Sequence, residues 1–350
     1  MTIGLAIIGP GKVAHTHAQA IANIPETRLV AVCGRNLERT EDFSNRYGAR
    51  AFTDLQAMLE HPGVDAVVIC TPHPQHAEQT IQAIRAGKHV LVEKPMATRV
   101  EDCDRMIEAA RSSRVKLGII SQRRNYAPVQ RLKNAILEGK IGRPILGTLS
   151  LLGWRSPEYY AMDAWRGTWS GEGGGVLINQ AVHQIDLLLW LMGSSVVRVQ
   201  SEHANLNHPE IEVEDTAVVT LRFENGALGN IVASNSQNPG LHGQIQIHGA
   251  NGSSIGVQTD GGSMFISGVT TSVEAPFNHL WMVGGETHLL EAWQTQDRAL
   301  AARVDVMKHY HQVQLEDFVR AILLDREPEV SGEDGRRVVE IFAAVYASRV

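Results

Sequence analysis

Short runs of consecutive apolar residues alternate with stretches of helical periodicity over the first third of the chain. The apolar runs are 3–8, 28–33, 50–52, 66–70, 89–92 and 116–121. Between them, 15–22, 37–47, 55–59, 76–86 and 100–112 carry apolar residues on one helical face. Strands without polar alternation, each followed by a helix, predict βαβ units and a parallel sheet covered on both sides. Gly87 stands where its freedom at positive φ would end a helix.

Beyond about residue 122 the pattern changes to longer, more widely spaced strands at 144–154, 196–204, 216–223, 226–234 and 244–248. Asn225-Gly226 between two of these runs is a short-range hairpin signal, so an antiparallel or mixed sheet follows. Residues 252–281 are rich in Gly and Ser with further short strands, and 309–324 and 335–348 close the chain with helical patterns. The reading is an α/β protein: a Rossmann doubly wound parallel sheet on 1–122, then an α+β domain with a large, open, mainly antiparallel sheet on 123–350. Its last helix is placed to pack back toward the first domain.

A chain of 350 residues suits two domains, each with its own core. With 32 Lys+Arg against 38 Asp+Glu and no basic clustering, the chain lacks the footprint of a nucleic-acid binder. The longest apolar stretches, such as 187–192, fall far short of the roughly 20 residues that cross a bilayer. Residues 1–9 have no basic flank or small-residue cleavage site and read as a strand, giving a cytoplasmic address. Cys33, Cys70 and Cys103 form no C-x-x-C pair, so neither a disulfide framework nor a zinc knuckle is expected.

Gly9-Pro10-Gly11-Lys12-Val13-Ala14 follows the first strand and opens a helix, matching G-x-G-x-x-A. The first glycine makes the tight turn, the second admits a pyrophosphate close to the backbone, and the third position packs helix on strand. The helix N-terminus then offers its N–H groups to the anion. An acid normally ends strand two to bind the ribose 2′-hydroxyl, but this chain has Gly34-Arg35-Asn36. Without the acid, Arg35 and Arg39 can pair with a 2′-phosphate, which tilts the expected cofactor from NAD toward NADP. Arg35 stacked on adenine or facing solvent would leave NAD use intact.

Thr71-Pro72 at the end of strand four and Glu93-Lys94-Pro95 at the end of strand five, behind this glycine motif, resemble the glucose-fructose oxidoreductase, inositol dehydrogenase and MocA (Gfo/Idh/MocA) family. The resemblance extends to Gly173-Gly174-Gly175 and the helix after it, which carries Asn179 and His183. It implies a Rossmann domain followed by an α/β domain whose open sheet forms homodimers or homotetramers. It also implies that His76, like Thr71, Pro72, Glu93 and Lys94, lies beside the cofactor, and that the bond before Pro95 is commonly cis.

The chemistry supports the tripeptide independently. Ligands bind beyond the carboxyl ends of strands in open α/β sheets, so Lys94 points toward a nicotinamide. Alcohol oxidation needs a group to take the hydroxyl proton, and burial beside a cationic ring lowers a lysine toward neutrality. Lys94 is therefore the first catalytic candidate. On a continuous helix over 176–192, Asn179, His183 and Asp186 lie within about 60° of each other at 100° per residue, one polar stripe on an otherwise apolar helix. Such a stripe fits a substrate pocket, with His183 as partner to Lys94; an internally satisfied core histidine is the plain alternative. The family often has Asp-x-x-x-His here; Asn179 can orient a hydroxyl but carries no charge, leaving open whether Lys94 or His183 takes the proton.

Arg123, Tyr160, Trp165 and Arg166 complete the candidate substrate contacts, the aromatic rings for the apolar face of a sugar and the arginines for its oxygens. Trp165 and Arg166 serve equally as loop anchors. His73 and His76 make a poor metal pair without a further ligand, and no metal is expected. His309 and His311 suit a helix start, with His311 also within reach of a substrate cleft. The function read from these residues is an NAD(P)-dependent oxidoreductase acting on a sugar, sugar derivative or cyclitol. An NAD-dependent glycosidase using transient oxidation, or a non-catalytic cofactor-binding sensor, are the alternatives.

Overall fold

The structure, a computed structural model, describes residues 2–241, 243–260 and 275–347. Part of the expected strand region, 261–274, and residue 348 of the last expected helix lie outside the described residues. The chain divides into two compact units, Met1–Gln122 with Met307–Val339, and Arg123–Val306 with Glu340–Val350. The expected second domain is thus interrupted: residues 307–339 belong to the first unit.

The first unit holds a six-stranded sheet of β1 (Ile3–Ile8), β2 (Thr27–Cys33), β3 (Arg50–Phe52), β4 (Ala66–Ile69), β5 (His89–Val92) and β6 (Leu117–Ile119). The strands are all parallel, in the order β3-β2-β1-β4-β5-β6 of a dinucleotide-binding sheet. Every residue of β1 and β4 is buried, because alternate side chains feed two cores. Ala6, Ile8, Val67 and Ile69 face a cluster with Met58, Ile81, Val92 and Met106, while Leu5, Ile7 and Val68 face one with Ile21, Phe43, Leu315 and Phe318. The last two stand on the helix Val306–Leu323, whose Gln314 accepts from Ser121 N–H and donates to the Ile119 carbonyl at 2.9 and 2.7 Å.

The second unit holds β7 (Pro144–Leu152), β8 (Val196–Ala204), β9 (Thr216–Phe223), β10 (Leu228–Ser234), β11 (Gly243–Gly249), β12 (Ser254–Asp260) and β13 (Phe277–Met282). Their order is β13-β12-β11-β7-β10-β9-β8, antiparallel except for the pair β7 and β10. The Asn225-Gly226 turn joins β9 to β10 as expected. One face packs on the helix Val182–Met192: a Cβ on Gly147 would fall 2.7 Å from Leu188 Cδ1. The other face carries Leu146, Val218 and Leu228, exposed among the described residues.

The helix expected over 176–192 is broken. It forms a single turn, Val176–Asn179, then Val182–Met192, with Ala181 N–H reaching back five residues to the Val176 carbonyl at 2.9 Å. That wide turn rotates the second segment away from the first, so one helical wheel does not describe both. No helix among the described residues is long and apolar enough to cross a membrane.

Candidate active site

In the first unit, β1 runs into Gly9 at φ +92°, where a Cβ would stand 2.8 Å from Thr71 Cγ2. Only glycine allows the turn to lie so close to the end of β4. Gly11 is the N-cap of the helix Lys12–Asn23, with no side-chain cap and no acidic residue in the first turn. The N–H groups of that turn, at Lys12, Val13 and Ala14, are oriented as a pyrophosphate cradle, and the residues fit a dinucleotide.

At the end of β2, Asn36 is committed to capping the helix Leu37–Tyr47, accepting Arg39 N–H at 2.9 Å. The side chains of Arg35 and Arg39 are exposed and form no ion pair among the described residues. Burial, then Arg46 and Arg39, lower the pKa of His15, whose Nδ1 lies 3.0 Å from the Tyr47 hydroxyl.

The ends of β4 and β5 are tied together by His76, fully buried, with Nδ1 2.9 Å from the Pro95 carbonyl and Nε2 2.8 Å from that of Thr71. Burial lowers its pKa, against the opposing pull of the Pro95 and Thr71 carbonyls. Glu93 turns inward. Its Oε1 lies 2.8 Å from His17 Nε2 and 3.9 Å from His311 Nε2, and its Oε2 accepts Lys94 N–H at 3.2 Å. Burial alone would raise this carboxyl, but the His17 hydrogen bond and the charges of His17, His311 and Lys94 overcome it and hold it at about 2. The three ligand-capable atoms of His17, Glu93 and His311 lie within 4.8 Å of one another, and the direct hydrogen bond from His17 anchors the carboxylate at the strand end. Lys94 follows as the half-buried residue leaving β5, joined to Pro95 by a cis bond.

In the second unit, the glycine-rich segment 173–175 is fixed by Glu214, whose carboxylate accepts from Gly175 N–H at 2.9 Å, Leu177 N–H at 3.2 Å and the Tyr346 hydroxyl at 2.8 Å. A Cβ on Gly175 would overlap the Glu214 carbonyl at 1.8 Å. Asn179 ends the short turn that follows and donates through Nδ2 to Glu172 Oε1 and, at 3.1 Å, to the Tyr159 hydroxyl. Arg166 joins the same hydroxyl, is paired with Asp163 at 3.1 Å, and lies between the Tyr159 and Trp165 rings at 4.4 and 4.6 Å. Tyr160 is buried, its hydroxyl accepting from Asn235 Nδ2 at 3.1 Å, and burial raises its pKa. Asn235 also donates to Gln180, which in turn donates to the Tyr159 hydroxyl, so Tyr159, Tyr160, Arg166 and Asn179 belong to one polar network.

His183 stands in the first turn of Val182–Met192, nine-tenths buried. Asp186 does not share a polar stripe with Asn179: it forms a buried two-point ion pair with Arg124, at 2.8 and 2.5 Å. Gln180 and Gln184 are likewise buried and not solvent-facing. Arg123, half-buried, sits in the 3-10 turn Gln122–Asn125. Sequence reasoning missed His17 as the partner of Glu93, and Glu172 and Glu214 entirely. Glu172, directly before the glycine run and seven residues before Asn179, was an available signal; Glu214, after Val213 and far from the run in sequence, offered none as direct.

The sequence model described as the oxidoreductase family with an NAD-binding Rossmann fold matches residues 3–121, and that of the GFO/IDH/MocA C-terminal domain matches 129–255. The chain is 28% identical over 339 residues to myo-inositol 2-dehydrogenase of Thermotoga maritima, covering 95% of this chain and 92% of that protein. It is 30% identical to 1,5-anhydro-D-fructose reductase of Ensifer adhaerens over 71% of this chain and 74% of that one. Its fold is similar to the WlbA dehydrogenase of Bordetella pertussis, solved in complex with NADH and UDP-GlcNAcA, with a TM-score of 0.83 and 32% identity over 99% of this chain and 96% of that one. With its parallel dinucleotide-binding sheet, its Glu93-Lys94-Pro95 strand end and its open second sheet, the chain belongs to the Gfo/Idh/MocA family of oxidoreductases.

Proposed function

We propose that this oxidoreductase is an NAD(P)-dependent dehydrogenase of a sugar, sugar derivative or cyclitol, moving a hydride between a substrate carbon and C4 of the nicotinamide. The observation that carries the reading is the end of β5, where the ionised, inward-turned Glu93 accepts Lys94 N–H and fixes the strand end from which Lys94 leaves. That end is the ligand-binding edge of an open α/β sheet. The activities of the inositol dehydrogenase and anhydrofructose reductase relatives support a polyhydroxylated substrate.

The bound dinucleotide supplies the hydride acceptor or donor. Lys94 exchanges the proton of the reacting hydroxyl, with His183 as its partner. Asn179, Arg123, Tyr160, Trp165 and Arg166 bind and orient the substrate, Tyr160 through the network it shares with Asn235 and Gln180. Gly9, Gly11, Lys12 and Val13 hold the pyrophosphate; Thr71, Pro72, His76 and Glu93 shape the nicotinamide end. Gly34, Arg35 and Arg39 admit the 2′-phosphate of NADP, supported by the lack of an acid at the end of β2 and by the exposure of both arginine side chains.

The exposed apolar residues on the open face of the second sheet support a homodimer or homotetramer. Three buried free thiols suit a cytoplasmic address. Purified protein incubated with NAD or NADP and a panel of aldoses, cyclitols and glycosides should form reduced nicotinamide with at least one polyol, and Lys94→Ala should abolish it. Glycoside cleavage without net reduction, or cofactor binding without turnover of any polyol, would replace this reading.

A further inference from the structure

The first N–H groups of a helical turn find no acceptor within the turn, and a side chain at the N-cap ordinarily supplies one. The turn Val176–Asn179 has Gly175 at that position, with no side chain to offer. Glu214, 39 residues after Gly175 and 2% exposed, takes the task over. Its carboxylate accepts Gly175 N–H at 2.9 Å and Leu177 N–H at 3.2 Å, and its own carbonyl accepts Val176 N–H at 3.0 Å, so three consecutive amides end on one residue. The hydroxyl of Tyr346, on the helix Gly332–Ala347, donates at 2.8 Å to the same oxygen that Leu177 uses. Two glycines are shaped to this pair: a Cβ on Gly174 would overlap the Tyr346 hydroxyl, and one on Gly175 the Glu214 carbonyl. Trp169 meets the Tyr346 ring edge-on at 5.1 Å and is itself held by Glu212 through its backbone N–H and its Nε1 at 3.0 and 2.9 Å.

We propose that Glu214 and Tyr346 are positioning residues of the reaction: Glu214 caps the turn from outside the helix, and Tyr346 holds the carboxylate to that task, so that Asn179 at the end of the turn and His183 beyond it are set in place together. This rests on the dehydrogenase reading above and adds a reason for the glycine run, which makes room for the cap. Burial pushes the Glu214 carboxyl above its ordinary value, and the Tyr346 hydrogen bond is the strongest pull the other way, ahead of the Leu177 and Gly175 amides. Burial, then the Glu214 charge, push the Tyr346 phenol well above its ordinary range, so it keeps its proton and remains a donor. Facing the pair from neighbouring segments are Glu172 beside the glycine run, Glu212 behind Trp169, and His203 of β8, whose ring lies 5.5 Å from that of Tyr346. Removing the hydroxyl takes one hydrogen bond from a charged acceptor, which raises the Glu214 carboxyl by about one to two further pH units.

Wild type, Tyr346→Phe, Glu214→Gln and the double variant are compared for kcat and KM on the active polyol from mildly acidic to mildly alkaline pH. Unfolding of the second unit is followed by tryptophan fluorescence over the same range. Tyr346→Phe should lower kcat/KM by a factor that grows to about tenfold or more as pH falls, its acid limb displaced upward by about one to two pH units. Glu214→Gln should lower kcat/KM about tenfold or more, and adding Tyr346→Phe to it should displace no limb. A group with a raised folded pKa contributes stability that is present below its unfolded value and is lost as pH rises through its folded value. Tyr346→Phe extends that loss to higher pH, so its unfolding gap from wild type should be full at neutral pH and close in acid. A gap or an activity loss of the same size at every pH, or a limb displacement that persists beside Glu214→Gln, would overturn the proposal. The expected unfolding trend with unchanged kcat and KM would reduce the pair to a structural contact and overturn its role in the reaction. Failure of wild type to turn over any hydroxylated substrate would instead remove the dehydrogenase reading, and the pairing is then judged by the unfolding gap alone.

Discussion

Glu93→Gln tests the anchor that sets Lys94 at the strand end. The carboxyl of Glu93 lies at about 2 against an ordinary 4.5, although burial pushes it the other way. At about 1.4 kcal/mol for each pKa unit, the native cluster of His17, His311 and Lys94 stabilises the ionised form by about 3 kcal/mol. A group depressed in the folded state contributes fully above its unfolded value and loses the contribution as pH falls through its folded value. Wild type should therefore shed about 3 kcal/mol between about pH 4.5 and 2, while the variant lacks this amount at neutral pH and shows a flatter acid limb. For a unit of this size the loss corresponds to a fall in Tm of about 5–10 °C. Trp154, Trp165, Trp169, Trp190, Trp281 and Trp293 all lie in the second unit, so their fluorescence follows that unit. Far-UV circular dichroism is the reading for the first. Parallel stability–pH curves for wild type and variant would refute the carboxylate anchor.

Other expectations follow from single contacts. Asp186→Ala strands the buried Arg124 charge and should cost about 3 kcal/mol or more in urea unfolding; Asp186→Leu with Arg124→Met should recover most of it. Arg35→Ala should lower kcat/KM with NADP about tenfold relative to NAD, the loss of one charge-assisted contact, and an unchanged ratio would remove Arg35 from the phosphate site. Tyr346→Phe deprives Glu214 of a donor and should destabilise the second unit by about 1–3 kcal/mol, measured by tryptophan fluorescence on denaturation.

The first sheet was legible because its physics is local: β1 and β5 have the bounds expected from their apolar runs, and Gly9 to Ala14 stands at the turn that demands them. Boundaries in the second sheet held nearly as well, since alternation along 216–223 already separates a buried from an open face. What failed depends on contacts distant in sequence. Periodicity over 176–192 reads as one helix, whereas the break at Gln180 and Ala181 separates Asn179, bound to Glu172, from Asp186, bound to Arg124. The motif at 93–95 marks a strand end but does not show that Glu93 turns away toward His17, 76 residues earlier, and His311. Nor does the amphipathic pattern of 309–324 reveal which sheet it covers; Leu315 and Phe318 settle that only once packed against Leu5 and Ile7.

In the proposed reaction hydride passes directly between the substrate carbon and the nicotinamide, and Lys94 takes the proton. The decisive measurement uses a polyol that the enzyme oxidises, deuterated at the reacting carbon, with wild type and Lys94→Ala. Wild type should yield reduced nicotinamide carrying the deuterium at C4, and Lys94→Ala should yield none at a measurable rate. Reduced cofactor without the label would refute direct transfer, and full label transfer by the lysine variant would refute Lys94 as the base.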